Sequence, residues 1–324
     1  MEVRKIQKTG GSTYLISLPK DWITRLGLKQ GDHLALIEKK DGTITLDPRY
    51  DEKEVHREAV ITPNSNIAID ITAKYLSGYD IIKIKSPNRI SSELRDTIIK
   101  TKERLIGVEI VEESANEIIL NCLISPDIVP IDKTLRRIHL LTLRMHEEAI
   151  KSFIEKDFEL AKNVIERDDE VDKLYFLFVR EIRSALQDPK VADKIGLTPI
   201  KCLDYRMVVK SLENIGDAAV KIASITLELT NNELTNAMRQ YIIDLSQHIS
   251  ELQDKAMQAL LKEDVFLAIN VMDKRKTLAE LIEKVNNELM KEESSIRVKI
   301  DSILDGIERI SDYAVDIAEF VIRH

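Results

Sequence analysis

Only two cysteines occur in 324 residues, Cys122 and Cys202, and they stand far apart. They form neither a disulfide framework nor a CxxC metal clip, so the expected state is a pair of reduced thiols in a cytoplasmic protein. Long apolar runs are missing too. No stretch approaches the roughly 18 residues that span a bilayer, which excludes membrane insertion. The N-terminus, MEVRKIQKTGG, lacks the apolar core of a signal peptide. Histidine is scarce and badly placed for a di-iron carboxylate bundle, which needs Glu-x-x-His pairs. The residues three before the six histidines are Gln30, Lys53, Arg136, Leu143, Leu245 and Val321, none of them acidic. Gly-rich phosphate loops, GxSxG and HExxH are also absent. The chain therefore reads as a non-enzyme.

What is present is hydrophobic residues at 44% and charged residues at 32%, the balance of a helix-rich globular protein long enough for two or three domains. The net charge of -8 is unevenly spread. Residues 1–29 hold Arg4, Lys5, Lys8, Lys20, Arg25 and Lys29 against only Glu2 and Asp21. A basic head on an acidic body suggests divided labour.

The chain divides into segments at 1–48, 49–130, 131–230 and 231–324. In the first, residues 13–18 are β-rich. Pro19 suits the first turn of a short helix through Trp22 and Leu26, and Gly27 ends it. Residues 33–38 and 43–46 alternate around Asp41-Gly42, which predicts a hairpin. Fewer than 50 residues bury too little surface to be stable alone, so the head is expected to dimerise. Residues 49–130 open with a charged linker (49–57) and continue in the order β-α-β-α-β-β, a small two-layer sandwich. The segment holds no catalytic constellation.

Residues 131–324 predict helix almost throughout. Ile138, Leu141, Met145, Ala149 and Phe153 form one amphipathic stripe, and Ile303, Ile307, Ile310, Ala314 and Ile317 another. The two halves repeat each other. Asp157-Phe158-Glu159-Leu160-Ala161 aligns with Asp264-Val265-Phe266-Leu267-Ala268 at an offset of 107, and both aspartates stand where N-caps belong. Leu212-Glu213-Asn214-Ile215-Gly216-Asp217 aligns with Ile307-Glu308-Arg309-Ile310-Ser311-Asp312 at an offset of 95. An extra loop over residues 186–199 of the first copy accounts for the difference. Each copy is then three helices, expected at 132–156, 157–186 and 200–229, then 234–262, 264–291 and 296–323.

Carboxylates line these helices. Glu308, Asp312 and Asp316 lie at i, i+4, i+8 on one face. Glu213 and Asp217 hold the first two of these positions in copy one, with Lys221 third. Asp168 and Asp172 form a further pair, whose copy-two counterparts are Arg275 and Ala279. Like charges at this spacing cost a few tenths of a kcal/mol each in water. Hard oxygen ligands in facing rows suit Mg, Ca, Mn or ferric iron. Two readings stand: a metal site, with the Glu308 triad the first place to look, or a solvated acidic face.

Two resemblances follow from these stretches. Residues 18–32, Leu-Pro-Lys-Asp-Trp-Ile-Thr-Arg-Leu-Gly-Leu-Lys-Gln-Gly-Asp, resemble the swapped-hairpin AbrB family, although Gly10-Gly11-Ser12 replaces the arginine-bearing turn usual there. That resemblance implies a dimeric DNA-binding head, with Arg4, Lys5, Lys8, Lys20 and Arg25 as candidate phosphate contacts. The repeats around Glu213 and Glu308, together with Asp168-Asp169-Glu170-Val171-Asp172-Lys173-Leu174, resemble PhoU proteins. That implies two tandem three-helix bundles carrying a metal ion or multinuclear cluster (iron, zinc, magnesium or manganese) on Asp168, Asp172, Glu213, Asp217, Glu308, Asp312 and Asp316. It also implies negative regulation of phosphate uptake alongside a phosphate transporter or its cytoplasmic ATPase. Beside this phosphate-responsive, DNA-binding regulator stand an accessory protein whose head only dimerises and, third, a carboxylate-bridged metallo-hydrolase.

Overall fold

The computed structural model describes residues 2–38, 42–48, 56–124, 130–229 and 234–322. These fall into two compact units, residues 1–56 and 57–324.

The first unit contains two small antiparallel hairpins. β1 (Gln7–Thr9) pairs with β2 (Thr13–Leu15), and β3 (Ala35–Glu38) with β4 (Ile44–Asp47). Helix α1 (Lys20–Arg25) lies between them in sequence. Of the residues expected to be β-rich, 16–18 leave the strand, and the expected hairpin has β3 starting at Ala35 rather than at residue 33. Pro19 is the residue before the helix, in extended backbone, and not part of its first turn. Asp41 of the expected turn, and the expected linker as far as residue 55, lie outside the described residues. Among the described residues of this unit only Asp47 is buried. Val3, Ile6, Tyr14, Leu36 and Ile44 are exposed.

The second unit begins with the expected β-α-β-α-β-β order. Its elements are β5 (Glu58–Ile61), α2 (Ile67–Leu76), β6 (Ile81–Lys85), α3 (Ser92–Glu103), β7 (Val108–Glu113) and β8 (Glu117–Cys122). The sheet order is β5-β6-β8-β7, with β5 and β6 parallel and the other pairs antiparallel. Alternation along the strands puts Ile82, Ile84, Ile118, Leu120 and Val108 on one face, where they meet Ile67, Ile71, Tyr75 and Ile98 of the helices. Ser91 caps α3 by accepting from the Leu94 amide.

The helices of the two copies are α4 (Ile131–Glu155), α5 (Phe158–Gln187) and α7 (Pro199–Leu227), then α8 (Asn236–Lys262), α9 (Val265–Leu289) and α10 (Ser294–Ile322). The 107-residue offset recurs in backbone detail. Asp157 accepts from the Leu160 amide at 2.9 Å and Asp264 from that of Leu267 at 3.0 Å. Lys156 and Glu263, one before each cap, are the two non-glycine residues in left-handed backbone among those described. One apolar core runs through both copies, including Phe153, Phe178, Leu212, Leu245, Ile303 and Ile310. The segment over 186–199, expected as a loop, contains a short helix, α6 (Pro189–Ile195). Asp188 accepts from the Lys190 amide, Pro189 fills the first turn, and Gly196 closes the end at φ 71. Those are start and stop residues of a helix, whatever the apolar periodicity.

The α/β layer packs on α5. Arg180, 3% exposed, donates to the Tyr75 and Tyr79 carbonyl oxygens at 2.9 and 2.7 Å and to Asp80 at 2.8 Å. The chain passes so close at Gly78, in left-handed backbone, that a Cβ there would lie 2.9 Å from Ser184 Oγ.

Candidate functional site

In copy one, α5 carries Asp168 and Asp172, and α7 carries Glu213 and Asp217. The two helices meet at Gly216, where an added Cβ would stand 3.4 Å from Asp168 Oδ1, an ordinary contact distance. That oxygen is buried and has no hydrogen-bond partner. Burial pushes the Asp168 carboxyl up to about 6, with Asp172, Asp217, Glu213 and Asp169 adding repulsion. Glu213 is also raised, first by burial, while its hydrogen bond from Lys210 opposes the shift. Asp172 accepts from Arg104 of α3 at 2.7 Å. The structure thus brings together all four copy-one residues singled out from the sequence.

Copy two differs. Glu308, Asp312 and Asp316 share a face of α10, but the facing position on α9 holds Arg275, whose Nε donates to Asp312 Oδ1 at 2.8 Å. Glu308 is raised by burial first and then by Asp305 and Asp312, with Arg275 pulling the other way. One cation from α9 thus offsets part of the charge on this face.

Among the described residues, no three His, Cys, Asp or Glu side chains stand as a ready ligand set. The fit of a metal therefore rests on donor chemistry. Copy one has four carboxylates on facing helices and one unpartnered buried oxygen, with Arg104 paired to Asp172 and Lys210 to Glu213. Copy two has Arg275 in its face, paired to Asp312.

In the head, Arg4 is tied to Glu2 at 2.6 Å, and Lys5, Lys8, Lys20 and Arg25 are exposed. Sequence reasoning missed three buried or bridging groups. His146 of α4 sits at the junction of the two copies, within 2.8 Å of Gln253 and 3.3 Å of Ser246 on α8. Burial holds its imidazole down at about 4. Glu181, 2% exposed and unpartnered at both oxygens, is pushed up to about 8 by burial. Arg104 reaches across 68 residues, a distance that no helical spacing reports.

The PhoU domain model matches residues 135–226 and 242–321, more than half of the chain and both copies of the repeat. The chain belongs to the PhoU family. Residues 7–53 match a second model, that of the MazE antitoxin (antidote-toxin recognition), in keeping with the AbrB-like reading of the head. A relative from Xylella fastidiosa, named phosphate-specific transport system accessory protein PhoU homolog, is 26% identical over 61% of this chain and 78% of its own. A Caulobacter vibrioides protein of the same name is 25% identical over 66% of this chain and 87% of its own. The crystal structure of PhoU from Pseudomonas aeruginosa superposes with a TM-score of 0.53, at 23% identity, over 59% of this chain and 93% of that one. It shares the fold of the helical half. Among the described residues no helix is long and apolar enough to cross a membrane.

Proposed function

We propose that this PhoU-family chain is a non-enzymatic accessory regulator of phosphate transport. It works in the cytoplasm beside a phosphate transporter or its ATPase, as a negative regulator. The observation that carries this reading is the family match across both copies, held by relatives whose names specify a phosphate transport accessory protein. The test is a deletion strain in which phosphate uptake and transporter transcription are followed at high phosphate. Deregulation that the full chain reverses supports the proposal. Unchanged uptake and transcription refute it.

The head is proposed to dimerise and to bind DNA. A unit whose described residues bury only Asp47, with Ile6, Tyr14, Leu36 and Ile44 exposed, has apolar surface for a second copy. Lys5, Lys8, Lys20 and Arg25 would contact phosphates, with Arg4 joining once released from Glu2. A flat gel-shift titration at low salt would remove the DNA part. The second reading, a head that only dimerises, is favoured by the net charge of -8 and by a family match described in terms of toxin recognition. Deleting residues 1–56 separates the two: loss of the dimer without loss of promoter occupancy supports the second.

A divalent or ferric cation is proposed for the copy-one face, on Asp168, Asp172, Glu213 and Asp217. Such an ion would add to the charge of Arg104 and Lys210, which pair with Asp172 and Glu213. Elemental analysis of the untagged protein decides whether any metal is held.

A further inference from the structure

We propose that the α6 insertion and the first turns of α7 form a docking surface for an acidic amphipathic helix of a partner protein. The inference stands on the surface of copy one and depends on neither the metal nor the DNA reading.

The surface is apolar where a helix would rest. Ile200, Leu203 and Met207 follow one another at i, i+3 and i+7 along α7 and are 64%, 64% and 49% exposed. They form a ridge about 10 Å long. Leu186, 53% exposed, stands at the end of α5, on the other side of the insertion in sequence. Single apolar residues are ordinary on a surface, but a row at this spacing is the pattern by which one helix receives another. The insertion itself is fixed, because Val191, Ala192 and Ile195 of α6 lie against the main core. Copy two supplies the contrast. At the repeat offsets, the counterparts of Leu186, Ile200, Leu203 and Met207 are Glu293, Ser295, Val298 and Ser302, and the insertion is missing. The apolar row and the extra helix thus occur together, in one copy.

Charge names the occupant. Residues 183–210 hold six basic residues (Arg183, Lys190, Lys194, Lys201, Arg206 and Lys210) against three acidic ones, in a chain of net charge -8. The corresponding residues 290–305 hold three basic against four acidic. Lys201 is paired with Glu263 and Lys210 with Glu213. Arg206, next to Met207, donates to the neutral Tyr175 hydroxyl at 2.9 Å. Arg183, one turn before Leu186, is exposed and makes no ion pair among the described residues. These two guanidiniums leave positive charge beside the apolar row for the carboxylates of a partner. A second copy of this chain would set the same cations against themselves, which like-charge repulsion disfavours. A lipid surface needs a longer apolar face, and here the row gives way after two turns to Lys210, Asn214 and Asp217. A short ridge with cations beside it fits the apolar stripe of one acidic helix.

The experiment is fluorescence anisotropy of the full chain with a labelled helical peptide that carries leucines at i, i+3 and i+7 and glutamates on its other faces. The chain is expected to bind it with an affinity that falls with added salt, and not to bind the same peptide with lysines in place of the glutamates. The triple variant Ile200→Ser, Leu203→Ser, Met207→Ser is expected to lose about tenfold in affinity. Arg183→Glu, a single exposed change, is expected to lose about threefold and carries the test if the triple variant does not fold. Val298→Ser, at the matching place in copy two, is expected to change nothing. Absence of binding to the glutamate peptide, equal binding of both peptides, or undiminished binding by both variants overturns the inference. So does a triple variant that keeps the peptide but no longer sediments with phosphatidylglycerol vesicles, or that turns a dimer into a monomer. Those results would assign the row to lipid or to a second copy.

Discussion

The two copies of the repeat have the same three helices, the same N-cap aspartates and the same left-handed residue before them, yet they treat their acidic faces oppositely. Copy one gathers Asp168, Asp172, Glu213 and Asp217 and borrows Arg104 from another layer. Copy two keeps Glu308, Asp312 and Asp316 but supplies Arg275 from its own α9. Duplication preserved what makes helices and their core. It did not preserve what gives the face its charge, because exposed positions cost little to change whereas buried ones are held by packing.

Core positions test how alike the copies are. Phe153 is fully buried, and its counterpart at the 107-residue offset is Leu260, nearly so. Phe153→Ala is expected to cost about 3–5 kcal/mol and Leu260→Ala about 2–4 kcal/mol, read from chemical denaturation. Similar losses in one cooperative transition would show a single folding body. Two separate transitions would break the copies apart.

Glu181 sharpens the difference, because its counterpart Glu288 is paired with Lys291 whereas Glu181 has no partner. Its folded-state pKa, about 8, lies above the ordinary 4.5, so the folded form holds the proton more tightly. Its contribution is present below pH 4.5 and is lost as pH rises to 8. Glu181→Gln is thus expected to stabilise the protein by about 2–4 kcal/mol at pH 8 and by almost nothing at pH 4. A gain independent of pH would remove the buried carboxyl as its cause.

His146 gives the opposite slope. With a folded-state value near 4 against an ordinary 6.5, its contribution is intact above pH 6.5 and declines as pH falls toward 4. His146→Gln should flatten that decline by about 1–2 kcal/mol at pH 5, as seen in thermal melts across pH. The smallest expected effect lies on the copy-two face. Arg275→Gln removes the half-exposed cation beside Asp312 and should cost about 0.5 kcal/mol, read from chemical denaturation. A much larger loss would mean that the carboxylates of α10 depend on this one cation.

The helical half was legible because amphipathic period, N-cap aspartates and the two offsets all point to the same six helices. The α/β layer was legible for the same reason, with Ser91 and the glycines at 78 and 107 marking its boundaries. The short helix α6 was missed because Pro189 and Gly196 read as breakers when apolar periodicity is absent. At the site, Asp168 to Asp217 could be found from spacing along two helices. Arg104 could not, since its contact depends on how α3 docks on α5. Nor could the isolation of Glu181 or the burial of His146, which are properties of packing.

One consequence of the junction between the copies remains. His146 and Gln253 stand 107 residues apart, the repeat offset itself, so each contacts its own counterpart in the other copy. In a symmetric dimer of separate identical chains, a residue on the two-fold axis can only meet itself, and histidine would face histidine. Joining the halves in one polypeptide lifted that restriction. A mixed pair, in which an amide accompanies an imidazole, requires two separately encoded halves, and it marks a place where the two copies are not interchangeable.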